Sequence, residues 1–514
     1  MKNNRREFLK FLGASSVGVS SLSIIQACQS SLDKSASPFP TQKDDVVLLN
    51  GLSYYPIISW GDKMKDGLVF GFNNDYIDTE YLSDDELIMW VNHEYTNPLF
   101  VSGMERNKEN IDKERSQTGG SLIKLKKVNG SWKFIKDDEH NRGVRADTPM
   151  TYAYDRKIQG SNQVIGTCSN CAGGKTPWNT FLTCEENYDM NYGELDRKTG
   201  KLLYEPYMGW NKVYPHSPEH YGWVVEVEPK TGKAQKHIKL GRFAHESATC
   251  HVSKTNKVVV YSGDDKKDEH LYKFVSKSGN DFKEGVLYAA NIEKGQWLPL
   301  DLELSPQLKK HFKSQIEVLT YPREAAKILG ATELNRPEDI EIHPKTGEVF
   351  VSLTNNKPKG DLHGSILKIS EVNDDHTSTQ FSAKTFAMGG EYFSCPDNLT
   401  FDSEGNLWMA TDISGSSLNK GEYQQFKNNG LFVIPTNGKH AGKVIQVASA
   451  PIDAEFTGLK FDKDETTLFL SVQHPGETTK DIKAPTSTWP TGSMPKPTVI
   501  AITGDTLGKI KSLS

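Results

Sequence analysis

Pro337-Glu338-Asp339-Ile340-Glu341-Ile342-His343-Pro344-Lys345-Thr346-Gly347, followed by Val349-Phe350-Val351-Ser352-Leu353-Thr354-Asn355-Asn356, reads as a strand, a tight turn and a second strand. Acids stand near its start, apolar and polar residues alternate with period two, and Gly347 sits in the turn. The unit recurs. Pro396-Asp397-Asn398-Leu399-Thr400-Phe401 leads through Gly405 into Leu407–Asp412, and weaker copies run from His245 to His251 and from Thr457 to Asp462. Those copies precede Val258–Asp265 and Leu468–His474, while Leu87–Glu94 and Thr180–Glu186 bring the β-runs with polar ends to six. Successive runs lie about 57 to 93 residues apart, longer than the ~40–45 of a minimal propeller blade, so loops must be inserted. In a propeller the repeated pair is the innermost strand and its neighbour. The pattern predicts an all-β chain, a six-bladed β-propeller with inserted loops and short helices. Leu308, Phe312 and Ile316 recur at helical spacing and predict a helix within Ser305–Leu329.

Composition agrees: 42 Gly, 19 Tyr and 9 Trp suit a turn-rich β protein. A net charge of −5 on 514 residues, with Lys and Arg scattered, excludes a nucleic-acid-binding surface. The first residues read as an address. Asn4-Arg5-Arg6-Glu7-Phe8-Leu9-Lys10 is a twin-arginine signal, and the apolar stretch from Phe11 to Ile25 is too short and polar to span a bilayer. Ile25-Gln26-Ala27-Cys28 resembles a lipobox that would place a lipid on Cys28; ordinary cleavage near Ala27 is the competing reading. The expected organisation is a signal over 1–28, a linker over 29–45 and one propeller domain over 46–514. Export by the twin-arginine translocase would place a monomer in the periplasm or, through Cys28, on the outer membrane. The remaining cysteines, Cys168, Cys171, Cys184, Cys250 and Cys395, are odd in number, so at least one stays outside intramolecular disulfides and is free to bind metal.

Equivalent positions of different blades meet at one mouth of the central channel. Glu246, Glu338 and Asp397 share a place just before an inner strand, and acids crowded together stay ionised only if a cation neutralises them. Oxygen ligands suit Ca²⁺, or Fe³⁺ when a thiolate joins them. Singly, each acid would be a solvated turn residue; three in one register point to metal. The densest motif, from Gly166 to Asn187, contains Cys168-Ser169-Asn170-Cys171, Gly173-Gly174 and Glu185-Glu186. Without a second CxxC or a His pair it is not a structural zinc site. No Gly-x-Ser-x-Gly elbow or zincin motif supports covalent acyl chemistry or zinc proteolysis.

Asn170–Gly174, Thr176-Pro177-Trp178, Thr183–Asn187, Arg242–Glu246, Arg336–Asp339 and Gln473–Gly476 together resemble the signatures of PhoX-type alkaline phosphatases, over roughly Asn73 to Gly476. The resemblance implies an exported phosphatase that cleaves phosphate monoesters at a cluster of two Fe³⁺ and three Ca²⁺. It implies Cys171 as the iron thiolate, Glu246 and Glu338 as iron-side carboxylates, and Arg336 as the catalytic clamp on substrate phosphate. For calcium it implies Glu185, Glu186, Asp265, Asp397, Glu94 and Glu455. His245 would orient a ligand, shuttle a proton or serve structure alone. Asn179 and Tyr152–Lys157 depart from the family pattern in loops expected at the mouth. The alternatives are a calcium-dependent propeller of lactonase or phosphotriesterase type, which has no need of Cys171, and a non-catalytic ligand-binding lipoprotein.

Overall fold

The computed structural model describes residues 37–513, so the signal segment and Cys28 lie outside the described residues. Six principal sheets surround a channel as a six-bladed propeller. Their inner strands are Asn74–Ser83, Asn170–Lys175, His245–Val252, Pro337–Ile342, Pro396–Phe401 and Glu455–Phe461, which define blades 1 to 6. The second strands are Glu86–His93, Phe181–Glu185, Val258–Asp264, Val349–Leu353, Asn406–Thr411 and Thr467–Gln473. These are the six runs the sequence marks out.

Burial explains why the second strands are so apolar. Each is covered on both faces by neighbouring blades, so the alternation of a half-exposed strand gives way to runs such as Val258-Val259-Val260-Tyr261. Leu182, Val224, Val258, Val260 and Phe274 pack between blades 2 and 3; Trp408, Val433, Leu468, Leu470 and Ile500 pack between blades 5 and 6. Full burial of one such side chain is worth roughly 1.5–3 kcal/mol. The ring closes through its start: Ser53–Ser59 pairs antiparallel with Thr498–Thr503 and becomes the outer strand of blade 6.

Close approach at the channel depends on glycine at two places. A Cβ on Gly174 would meet the Ala248 carbonyl oxygen at 2.1 Å, and one on Gly263 would meet those of Pro337 and Glu338 at 2.2 and 2.7 Å. The inner strands of blades 2 and 3, and the second strand of blade 3 with the inner strand of blade 4, can therefore approach only without a side chain there.

The helix expected within 305–329 is three pieces: a 3-10 turn Pro306–Lys310 and helices Gln315–Thr320 and Pro322–Leu329. Ser314 caps the second by accepting from the Glu317 amide, and Pro322 starts the third because it cannot continue the second. Leu308 and Phe312 are buried as their spacing implies, whereas Ile316 is 39% exposed. The two departures from the family pattern also lie elsewhere than expected. Asn179 sits in the turn between the inner and second strands of blade 2, at the channel end away from Cys171, with φ +64°, a left-handed conformation that glycine also serves. Tyr152–Lys157 lies at the outer edge of blade 2, where Tyr154 packs against His237.

Candidate active site

Each inner strand begins with a side chain suited to metal: Asp75, Cys171, Glu246, Glu338 and Asp397 are second residues of their strands, and Glu455 is a first residue. The backbone repeats one device to place them. In blades 1, 2, 4, 5 and 6 the residue two positions earlier is left-handed: Asn73, Ser169, Arg336, Cys395 and Asp453 have φ between +46° and +60°. Just downstream, every inner strand shifts register at a β-bulge. Bulges bend a strand and re-aim its side chains. Antiparallel pairing sets the end of each second strand opposite the start of its inner strand, as in Asn74↔His93 and Pro396↔Thr411. A second tier thus forms from Glu94, Glu186, Asp265, Asp412 and His474, each the residue after a second strand.

The two tiers meet. Cys171 Sγ lies 3.2 Å from Asp75 Oδ2 and 3.1 Å from Glu246 Oε1. Donor atoms of Asp75, Glu94 and Cys171 lie within 4.8 Å of one another, as do those of Cys171, Glu186 and Glu246, and those of Asp397, Asp412 and Glu455. Arg336 adjoins them: its Nε and Nη2 donate to both oxygens of Asp265 at 2.7 and 2.8 Å, and Nη2 lies 2.6 Å from Glu338. Its Nη1 has no hydrogen-bond partner among the described residues. A cleft of about 220 Å³ opens beside it, lined by Lys267, Arg336, Asn355, Lys357, Cys395, Asp412, Ile413 and Ser414.

Burial and mutual repulsion raise most of these acids. The Asp75 carboxyl is pushed up to about 7 and that of Glu94 to about 8, chiefly by burial. Glu186, Glu246, Glu338, Asp397 and Glu455 are driven well above the usual carboxylate range by burial and then by neighbouring acids. Asp265 goes the other way, because the Arg336 fork outweighs burial. Burial and the adjacent Asp75 and Glu246 also hold the Cys171 thiol well above its ordinary value. Among the described residues, buried oxygens remain without partners at Asp75 Oδ1, Glu186 Oε1, Glu455 Oε2, Thr457 Oγ1 and Gln473 Oε1, and both amide atoms of Asn73 and Asn74 are unpaired. An unpaired buried polar atom costs about 1–3 kcal/mol, so this density of oxygen and one sulfur fits cations.

The raised values make the stability of the cation-free protein depend on pH. Folded pKa values of about 7 and 8 lie above the unfolded ~4. Their contribution is therefore full below pH ~4 and is lost as pH rises through about 7 to 8. The chelated protein should lose thermal stability across that window, and calcium should raise its Tm more at pH 8 than at pH 5. Equal Tm gains at both pH values would contradict the cation-dependent charge balance.

The family model for alkaline phosphatase PhoX matches residues 34–476. The chain belongs to the alkaline phosphatase PhoX family. It is a phosphoric monoester hydrolase, which decides against the lactonase-like and non-catalytic alternatives. Pseudomonas fluorescens PhoX, solved with vanadate as a transition-state analogue, is 28% identical and superposes with a TM-score of 0.78 over 91% of this chain and 97% of that one. A gluconolactonase from Xanthomonas campestris is 9% identical, with a TM-score of 0.38 over 90% and 97% of the respective chains. Among curated proteins none matches the sequence.

Set in this PhoX-family propeller, Cys171, Glu246, Glu338, Glu186, Asp265, Asp397, Glu94, Glu455 and Arg336 converge on one mouth. Asp75 and Asp412 join them, though neither stands out in the sequence as a ligand. Glu185 does not join. It is fully buried, its Oε2 accepts from the Gly222 and Trp223 amides at 2.9 and 3.0 Å, and its Oε1 accepts from Lys236 Nζ at 2.6 Å. The expectation that it pairs with Glu186 as a calcium ligand is corrected, because adjacent residues at a strand end face opposite sides. Glu185→Ala would strand a buried Lys236 charge, and loss of one partner of a buried pair costs ~3–5 kcal/mol. We expect a lower Tm with calcium content unchanged, whereas Glu186→Gln should lower calcium content. Calcium lost from the Glu185 variant at a preserved Tm would contradict this assignment. His245 is also structural: it is fully buried, its ring nitrogens bond Ser262 Oγ and the Gly241 carbonyl, and burial lowers its pKa to about 3. All five described cysteines are free.

Proposed function

We propose that the enzyme hydrolyses phosphate monoesters at an iron–calcium cluster of two Fe³⁺ and three Ca²⁺ at this mouth. The observation that carries the reading is a thiol, Cys171, set among carboxylates from all six blades beside an arginine fork. Cys171, Glu246 and Glu338 form the iron side, where a thiolate joins hard oxygens. Glu186, Asp265, Asp397, Glu94 and Glu455 form the calcium side, with Asp412 joining Asp397 and Glu455, and Asp75 set between Cys171 and Glu94. The ions, when bound, supply Lewis acidity that activates water and offsets the charge of the phosphoryl group.

The chain's own residues bind and orient the ester. Arg336 presents Nη1, the guanidinium nitrogen that Asp265 and Glu338 leave open, to a phosphoryl oxygen while those acids fix its plane, an arrangement Lys cannot reproduce. Asp265 and Glu338 hold the guanidinium plane, so that little ordering remains when substrate arrives. In-line displacement then needs no nucleophilic side chain. Export through the twin-arginine pathway and a lipid on Cys28, after a linker over 29–45, would place a monomeric enzyme at the periplasm or the outer membrane. Retention inside the cell after Arg5→Lys and Arg6→Lys is the expected result, and normal export of that variant would contradict the route. The cluster is tested by elemental analysis of protein exported through its own signal. Two iron and three calcium per chain are expected, and calcium without iron would overturn the iron–thiolate reading.

A further inference from the structure

Beyond the metal ligands, the cleft beside Arg336 has a chemistry of its own. A short two-stranded sheet, Lys267–Glu269 with Leu334–Asn335, pairs Lys267 with Asn335, the residue before Arg336. Lys357, which also lines the cleft, follows Asn356, whose amide is tied to Asp268, the neighbour of Lys267, at 2.7 Å. Neither lysine is neutralised. Among the described residues Lys267 has no ion-pair or side-chain hydrogen-bond partner, and Lys357 has only the Ser417 hydroxyl at 3.0 Å and the Tyr423 ring at 4.8 Å. Their neighbours differ: Lys266 is engaged by Asn187 and Asp189, and Lys359 by Asp268 and Glu333. The one carboxylate lining the cleft, Asp412, belongs to the cluster with Asp397 and Glu455. Arg336 is already balanced by Asp265 and Glu338, so two positive charges without a carboxylate partner among the described residues remain next to the phosphate clamp. At about 220 Å³ the cleft is smaller than the ~300–1,000 Å³ of pockets for drug-sized ligands, and it suits a short polar group.

We propose that Lys267 and Lys357 form a second anion subsite, which selects phosphate monoesters whose leaving group carries a further carboxylate or phosphate. Asn355 and Ser414 supply neutral polar contacts on the same walls. The proposal rests on the phosphatase reading and adds to it the class of substrate. Because both lysines sit at an open cleft, their attraction is screened by salt, unlike that of a buried pair.

The test compares 3-phosphoglycerate with glycerol 3-phosphate, which differ by one carboxylate, on the metal-loaded enzyme. The unaltered enzyme should favour phosphoglycerate by about tenfold in kcat/KM, mainly through KM, and the preference should fade by ~0.5 M salt. In the Lys267→Ala/Lys357→Ala variant kcat/KM should fall about tenfold further for phosphoglycerate than for glycerol phosphate, and Arg at both positions should restore the preference. Equal losses on both esters, or a preference untouched by the double variant or by salt, would overturn the subsite. Failure to cleave either ester, or p-nitrophenyl phosphate, would instead overturn the phosphatase reading on which it rests.

Discussion

Cys171→Ala is expected to remove iron, any visible-range colour and nearly all phosphatase activity, while leaving the fold intact. The sulfur touches carboxylates of two other blades, at 3.2 Å from Asp75 and 3.1 Å from Glu246, and it belongs to two of the three groups of converging donors. Without a cation the thiol is held protonated by burial and by those acids. A thiolate there is stable only against a strongly charged ion, and thiolate is what separates an iron site from an all-oxygen calcium site. Even outer partners of metal ligands are worth about 10–100-fold in affinity or activity, so a direct ligand should cost at least about 100-fold in kcat/KM. Activity on p-nitrophenyl phosphate, absorption spectrum and Tm check the expectation together. A variant that keeps its activity at an unchanged Tm would remove iron–thiolate chemistry from the mechanism.

Arg336→Lys should lower kcat/KM by roughly 10²–10³, the range seen when one preorganised donor to a developing oxyanion is lost. The charge survives in that variant, but one ammonium cannot hold Asp265 and Glu338 and still present a fixed N–H to the phosphate as Nη1 does. The arginine is costly to place, since it is left-handed at φ +55° and buried enough to need both Asp265 and Glu338. Strain retained at such a position is a mark of function. Vanadate inhibition should weaken in parallel with activity, because both depend on the same guanidinium. Unchanged kcat/KM in the lysine variant would show that charge alone suffices and would shift the clamp elsewhere.

Much of this site was legible in the repeat. Glu246, Glu338 and Asp397 share one register, and that register is the rim of the channel. Asp75 holds the same place in blade 1, yet Asn74-Asp75-Tyr76-Ile77-Asp78 lacks the proline that opens the clearer copies, and its turn, Ser83-Asp84-Asp85, has no glycine. The signal was positional: Asp75 stands 12 residues ahead of Leu87, as Glu246 stands 12 ahead of Val258. Asp412 closes one of those runs and faces Asp397 and Glu455, but as a strand-end acid it looks like any solvated turn residue until the blades close. Glu185 misled for the opposite reason. Its neighbour Glu186 enters the cluster, while its own partner, Lys236, lies 51 residues away and announces nothing in sequence. The helix within 305–329 broke at Ser314 and Pro322, where local capping and the missing proline amide outweighed the apolar spacing.

Cleavage of a phosphate monoester at this mouth is proposed to depend on cations held by six blades. The most direct test is p-nitrophenyl phosphate hydrolysis by the exported protein before chelation, after it, and after iron and calcium are returned together. Activity lost on chelation and restored only when both ions are present is the predicted result. Hydrolysis that survives complete removal of metal, with Tm unchanged, would contradict it.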